Sequence, residues 1–373
     1  MKDVMGLIYT GENDIRLREL TLVRAVAALP VAGRYRVIDF LMSSMVNSGV
    51  RNVGVITQKN YHSLMDHLGS GKEWDLHGKN QGLVILPPFL TRENVGMYTG
   101  LLDALKSNTN YLNRSRQEYL ILTNSHTIYN ADFDDMLRAH VESGADITMM
   151  VTRDPKMMTG GDETMYVAMD DDKRVTSVEV DPTTPGCPLA ALEVYVIKRE
   201  TLRNLVDQAA ANGKRDFRRD LIQRLVNEGT MKVCGYEYTD PAWRLDSVQS
   251  YFNFNMDILD TKVRKSLFDS HPVYTKVRDD MPARFLGEPE VTNSLIANGC
   301  IVEGTVENSV LFRGVKIAKG AIVRNCVVMQ DAQVQEGAEI DHCILDKQAV
   351  IRRNGRLIGP AAYPIVIAKN VVI

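Results

Sequence analysis

The loop Thr10-Gly11-Glu12-Asn13-Asp14-Ile15-Arg16-Leu17 follows an apolar run and is the first stretch whose residue types bear on chemistry. Where a strand of a nucleotide-binding sheet gives way to a loop, bare backbone N–H groups approach phosphates closely, and glycine permits that approach. Only Gly11 meets the need, and Glu12 and Asp14 place negative charge where phosphates would lie, which opposes triphosphate binding. Arg24, Arg34, Arg36 and Arg51 come next. Their guanidinium forks suit a phosphorylated effector, and equally suit a solvated face balanced by Glu12, Asp14, Glu19 and Asp39. Gln58 and Asp103 stand near the ends of expected elements, where they have the chemistry either to contact a base or ribose or to cap a helix.

A metal site should present carboxylates just after a buried strand, yet the run Tyr119–Leu122 leads into Thr123-Asn124-Ser125-His126-Thr127. A lone histidine such as His126 is more commonly a hydrogen-bonded structural residue than a ligand. Ser125 and His126 are adjacent, so on a strand they face opposite ways and do not cooperate as nucleophile and base. His62 and His67 diverge on one expected helix, and no Gly-x-Ser-x-Gly turn occurs. Cys187, Cys234, Cys300, Cys326 and Cys343 are widely spaced and odd in number, which reads as buried free thiols, not a zinc site or a disulfide framework.

The elements that must position these residues are legible as periodicities. Val4–Tyr9, Val53–Thr57, Leu83–Leu86, Tyr119–Thr123 and Ile147–Val151 are continuous apolar runs, expected of strands buried on both faces. Between them Ile38–Ser48, Tyr61–Leu68, Tyr98–Ser107 and Phe133–Ser143 carry apolar residues at helical spacing. This alternation predicts a mostly parallel α/β sheet covered by helices, with ligands beyond the carboxyl ends of its strands. Tyr166–Met169, Val175–Val180 and Leu192–Ile197 predict an antiparallel extension of that sheet. Arg199–Ala211, Phe217–Asn227 and Val248–Leu259 predict helices, and the stretch from Asp269 to Gly287 a linker.

Beyond residue 291 the texture changes. Ile322, Val328, Val334 and Ile340 recur every six residues, as do Ala332, Ala338, Ile344 and Val350, and Cys300, Val306, Phe312 and Ala318. A six-residue period of small and β-branched side chains predicts a parallel β-helix, with glycines at its corners (Gly299, Gly304, Gly314, Gly320, Gly337). The expected domains are therefore 1–265, a linker over 266–290, and 291–373.

Composition bounds the function. The chain has 373 residues, 45% apolar and 24% charged, enough for two or three domains with a core that needs no covalent staple. Forty-four Lys and Arg against 47 Asp and Glu give a net charge of −3, so no basic field is expected to attract nucleic acid or anionic lipid. The first apolar run is too short for a signal-peptide core, and no stretch of some 18 apolar residues predicts a membrane span. The cytoplasm is the expected compartment.

The segments Gly33-Arg34-Tyr35-Arg36-Val37-Ile38-Asp39-Phe40, Asn47-Ser48-Gly49-Val50-Arg51 and Val55-Ile56-Thr57-Gln58 resemble glucose-1-phosphate adenylyltransferase, also called ADP-glucose pyrophosphorylase. The resemblance continues through Tyr98-Thr99-Gly100 with Asp103-Ala104, Asp216-Phe217 with Asp220-Leu221-Ile222, Trp243-Arg244, and the hexads. It implies a Rossmann-like nucleotidyltransferase domain followed by a left-handed β-helix that assembles tetramers. It also implies synthesis of ADP-glucose and pyrophosphate from ATP and glucose 1-phosphate for glycogen formation. Gly11, Gln58, Gly100 and Asp103 become nucleotide-binding candidates.

The departures from that family are concentrated in its active-site segments. The family's G-G-x-G-T-R-L loop reads Gly11 to Leu17 here, with Glu12 and Asp14 in place of glycines and Arg16 retained. R-A-K-P-A reads Arg24-Ala25-Val26-Ala27-Ala28, and G-D-H-I-Y reads Ser125-His126-Thr127-Ile128-Tyr129, so that His126 stands where the Mg²⁺-binding aspartate belongs. V-E-K-P reads Glu179-Val180-Asp181-Pro182, an acid for a lysine, and W-R-D-V-G-T shortens to Trp243-Arg244-Leu245-Asp246-Ser247. In nucleotidyl transfer such groups supply the stabilisation of developing charge, each worth ~10²–10³ in rate. The pattern resembles the D-type glycogen-biosynthesis subunit that accompanies and modulates a catalytic subunit.

The expectation is thus a regulatory subunit of a hetero-oligomeric adenylyltransferase, with no catalytic residue and no metal site of its own. Arg24, Arg34, Arg36 and Arg51 would serve a phosphorylated effector, and a catalytic subunit would be its partner in a homo- or hetero-tetramer. Two alternatives are an active nucleotidyltransferase with a divergent phosphate loop, for which Mg²⁺ and ATP would be required, and a sugar-phosphate-sensing binding protein.

Overall fold

A computed structural model describes residues 3–11, 14–79, 81–88 and 96–373. Glu12, one of the acidic loop positions, lies outside the described residues. The chain forms two compact units that interleave in sequence: Met1–Asn13, Phe40–Arg244 and His271–Tyr274 make one, and Asp14–Asp39, Leu245–Ser270 and Thr275–Ile373 the other.

The first unit is built on a nine-stranded sheet. Its strands are β1 (Val4–Tyr9), β2 (Val53–Ile56), β3 (Leu83–Leu86), β4 (Tyr119–Asn124), β5 (Ile147–Thr152), β6 (Met165–Met169), β7 (Val175–Val180), β8 (Leu189–Lys198) and β9 (Val233–Glu237). The order β7-β6-β8-β4-β1-β2-β3 carries β5 and β9 on a branch from β8. The expected parallel core is present: β1 pairs β2 and β4 in parallel, β2 pairs β3, and every residue of β1 is buried. A strand apolar along its whole length reflects helices on both sheet faces. The extension is antiparallel as predicted, β8 running against β4, β5 and β6, and β7 against β6.

The helix Phe133–Ser143 begins where Asp132 accepts a bond from the Asp134 N–H at 2.8 Å and ends at Gly144 with φ of 61°. The predicted helix over 217–227 has a wider first part. Phe217–Gln223 is a π-helical segment, with the Asp216 carboxylate accepting from the Arg218 and Arg219 N–H groups, and Arg224–Glu228 completes it as α-helix.

The second unit contains three five-stranded parallel sheets, which form the faces of a parallel β-helix. Val306 pairs with Val323 and Val323 with Ile340, and Leu311 with Val328 and Val328 with Leu345; each partner is 17 residues further on. Three full hexads would need one residue more per coil, so a strict six-residue count drifts. Val306, Phe312, Val328, Val334, Ile340, Ala332, Ala338 and Ile344 are buried as expected, whereas Ala318, Ile322 and Val350 are half-buried. Four of the expected corner glycines take positive φ, and the fifth, Gly304, is needed for space, since a Cβ there would sit 2.3 Å from the Ala321 carbonyl oxygen.

One corner carries a ladder of amides. Asn293 donates to Asn308 (2.9 Å), Asn308 to Asn325 (2.7 Å) and Asn325 to Asp341 (2.9 Å). All three asparagines take positive φ, between 42° and 49°, which Asn tolerates better than other non-glycine residues. His342, 17 residues beyond Asn325, takes the same corner in the next coil at φ 50° and lies 2.7 Å from Asp341 Oδ1.

Candidate functional site

In the first unit, a cavity of about 340 Å³ opens at the carboxyl ends of β1 and β4, where an α/β sheet places its ligands. It is lined by Tyr9 at the end of β1 and Gly11 beyond it, Tyr98 to Leu101, Asn124 at the end of β4, Glu163, Glu193 on β8, and Arg215 to Arg218. Two nucleotide-binding candidates, Gly11 and Gly100, line it directly. Gln58 joins them through hydrogen bonds: the Tyr9 hydroxyl is 3.1 Å from Gln58 Oε1, and Gln58 Nε2 donates to the Tyr98 carbonyl at 2.7 Å. A Cβ on Gly11 would fall 2.2 Å from that same Gln58 oxygen, so any larger residue there would displace the Gln58 and Tyr9 side chains. Asp103, the fourth candidate, accepts from the Thr99 N–H (2.9 Å) and hydroxyl (3.2 Å) and fastens the loop ahead of the helix Leu101–Ser107.

The polar side of the cavity is an ion-pair network. Arg218 Nη1 lies 3.6 Å from both Asp181 and Glu193, and its Nε 3.9 Å from Asp216. Arg219 donates to Asp181 at 2.8 Å, and Asp181 Oδ1 also accepts from the Thr164 N–H at 3.1 Å. Asp181, the acid at the family's lysine position, is therefore engaged by two guanidinium groups and a backbone amide. Burial works against the Arg218 charge, but Glu193, Asp181, Glu163 and Asp216 outweigh it and hold the group cationic, above its ordinary range. Asp220 is held below the usual carboxylate range chiefly by the N–H groups of Arg215 and Asp216. Three carboxylates (Glu163, Glu193, Asp216) face two guanidinium groups (Arg215, Arg218) around the cavity, a balance unsuited to a triphosphate.

The remaining predicted residues lie elsewhere. His126 is buried at the turn after β4 and does not line the cavity. Asp14 and Arg16 belong to the second unit, Asp14 buried and Arg16 paired with Asp246 at 3.9 Å. Arg51 stands in the first unit beside Asp75 at 3.6 Å, apart in sequence grouping from Arg24, Arg34 and Arg36 in the second. Arg34 covers the Tyr35 ring with its guanidinium 4.9 Å from the centroid. Arg24 is 2% exposed and bonds the fully buried Asp346 at 2.9 and 3.0 Å.

Near that pair Lys347 is half-buried. Burial pushes its ammonium down to about 7, and Arg36, Arg24 and Lys369 press in the same direction, with Asp346 opposing. Sequence reasoning did not single out Lys347, Glu193 or Arg218. A carboxylate interrupting the apolar run Leu189–Ile197 was the available signal for Glu193; nothing in the pattern distinguished Lys347.

The nucleotidyl transferase family profile matches residues 5–261, and the GlmU-like C-terminal hexapeptide profile matches 281–361. The glycogen biosynthesis protein GlgD of Bacillus subtilis (strain 168) is 36% identical over 99% of this chain and 96% of that protein. GlgD of Geobacillus stearothermophilus is 38% identical over 86% of this chain and 82% of its own length. The glucose-1-phosphate adenylyltransferase of Geobacillus stearothermophilus is 33% identical over 87% of this chain and 84% of its length. With a parallel α/β sheet, a cavity at its carboxyl edge and a hexapeptide coil, this chain belongs to the nucleotidyl transferase family, in the group formed by GlgD and the glucose-1-phosphate adenylyltransferases.

Proposed function

We propose that the chain is a regulatory, catalytically impaired subunit of a hetero-oligomeric glucose-1-phosphate adenylyltransferase that supplies ADP-glucose for glycogen biosynthesis. The observation that carries this reading is the state of Asp181. At a position where the family presents a lysine to a sugar phosphate, this chain has a carboxylate already neutralised by Arg218 and Arg219. The acidic balance of the cavity supports the same conclusion.

A divalent cation does not fit the residues present. Asp246 is paired with Arg16, His126 replaces the aspartate implied by the resemblance, and the described residues contain no group of three His, Cys, Asp or Glu side chains placed to hold a metal. No step of nucleotidyl transfer is therefore derived for this chain.

A phosphorylated effector belongs, on this reading, with Arg36 and Lys347 in the second unit. Their cationic crowding is what an anion would relieve. Arg24 is committed to Asp346 and contributes charge without offering its donors.

The test is ADP-glucose synthesis from ATP, Mg²⁺ and glucose 1-phosphate by this chain, by a catalytic adenylyltransferase subunit, and by the two mixed. Silence of this chain alone with an altered rate or effector response in the mixture is the expected result. Turnover by this chain alone, at a rate comparable to the catalytic subunit, overturns the reading.

A further inference from the structure

Glu193 combines three costs that a structural residue ordinarily avoids. Among the described residues it is the one non-glycine side chain with positive φ, 56°, inside a strand of the sheet. It is 4% exposed, although carboxylates are almost never buried unless paired. Its Oε1 accepts no hydrogen bond, while Oε2 accepts one from Asn124.

The local backbone explains how the side chain is aimed. The register of β8 against β5 shifts between Ala191 and Tyr195, and pairing with β4 begins only at Val194. The residues between form a bulge, a device that redirects a side chain out of the pleat. Here the redirected carboxylate enters the cavity, where Arg218 is the cation nearest its free oxygen, at 3.6 Å. Arg218 is itself 17% exposed at the side chain and reaches inward from the π-helical segment. Two irregular backbone segments, a bulge and a π-helix, thus carry the opposite charges that pair on the cavity wall. Strain and an unsatisfied buried oxygen persist only where the surrounding structure enforces them, and they concentrate at functional positions.

We propose that the Glu193–Arg218 pair closes the cavity to sugar phosphates by its charges. Arg218 stands where an incoming phosphate would need a cation, but its charge is met by Glu193, Asp181 and Asp216; Glu193 stands where an incoming anion would be repelled. The proposal deepens the reading of an impaired site, since it names what excludes substrate from the cavity. It is independent of whether the chain modulates a catalytic partner, which the mixing assay decides on unaltered protein.

The experiment is titration of glucose 1-phosphate into the full-length chain and into Glu193→Gly, Arg218→Gly and the double variant, by calorimetry and by ligand-induced shift of the unfolding midpoint. The unaltered chain is expected to show no saturation at millimolar ligand. Glu193→Gly, which removes the strain and the opposing carboxylate and leaves Arg218 its charge, should bind at least tenfold more tightly than the unaltered chain, and the double variant, which lacks that cation, should not. Glu193→Gly should raise the unfolding midpoint of the free protein, and Arg218→Gly should lower it by leaving Glu193 buried without its cation. Should Arg218→Gly fail to fold, the double variant and Glu193→Gly still decide the matter. Binding by the unaltered chain equal to that of Glu193→Gly overturns the proposal, as does absence of binding in every folded variant. Loss of an existing affinity in Arg218→Gly overturns it too, because Arg218 would then be a ligand contact.

Discussion

Arg24 and Asp346 are removed from water together, 2% and 0% exposed, and each is tolerable there only because of the other. A buried pair is weak evidence of net stability, but removal of one partner strands a charge. Arg24→Met is therefore expected to cost about 3–5 kcal/mol in chemical denaturation. Arg24→Met with Asp346→Asn should recover much of that loss, because no ion remains to be solvated. Lys347 next to this pair gives a second prediction. With its folded value near 7, below that of an unfolded lysine, the unfolded chain binds more protons between about pH 7 and 10, so this group's destabilisation fades as pH rises through that window. An anionic effector would raise the folded value. Calorimetry at pH 8 in buffers of differing ionisation enthalpy should then register proton uptake on binding of about one proton or less. The uptake should vanish near pH 5, where Lys347 is already charged, and in Lys347→Gln at any pH. At this scale sequence reading was least complete. Arg24 was grouped with Arg34, Arg36 and Arg51 as a ligand for a phosphorylated effector, whereas its guanidinium is buried against Asp346, which no local pattern connects to it.

At the scale of elements the sequence was far more explicit. Val4–Tyr9, Leu83–Leu86, Phe133–Ser143, Val175–Val180 and Arg199–Ala211 have the limits expected of them, because continuous apolar runs and capping residues are local signals. The helix Thr261–Phe268 went unanticipated; it buries only Leu267, so periodicity has little to register. The bulge in β8 was invisible for a different reason: it is settled by strands paired far away in sequence. The β-helix period was legible, but its slip to 15 or 17 residues in successive coils appears only when strands are paired. The asparagine ladder follows the same 15- to 17-residue spacing and suggests a test confined to one corner. Asn308→Gly keeps the positive φ and loses two amide bonds, whereas Asn308→Ala loses both bonds and adds strain. Thermal unfolding should rank the native chain above Asn308→Gly, with Asn308→Ala lowest and separated from glycine by about 1–2 kcal/mol. Equal effects would show that the ladder bonds, not the backbone, matter at that corner.

For the molecule as a whole, the two halves of the proposed role draw on different units. The cavity and its internal ion pair belong to the first, the cationic group around Lys347 to the second, so loss of substrate binding and retention of effector binding can be separated by substitution. The interleaving of those units also has a consequence for how the chain is made. The Arg24–Asp346 bond closes across 322 residues of sequence. At roughly 5–20 residues per second of synthesis, the segment carrying Arg24 leaves the ribosome roughly 15–65 s before its partner exists. During that interval an arginine destined for the dry interior lacks its counter-ion, and nascent chains stalled ahead of Asp346 are the species a chaperone or protease would meet first.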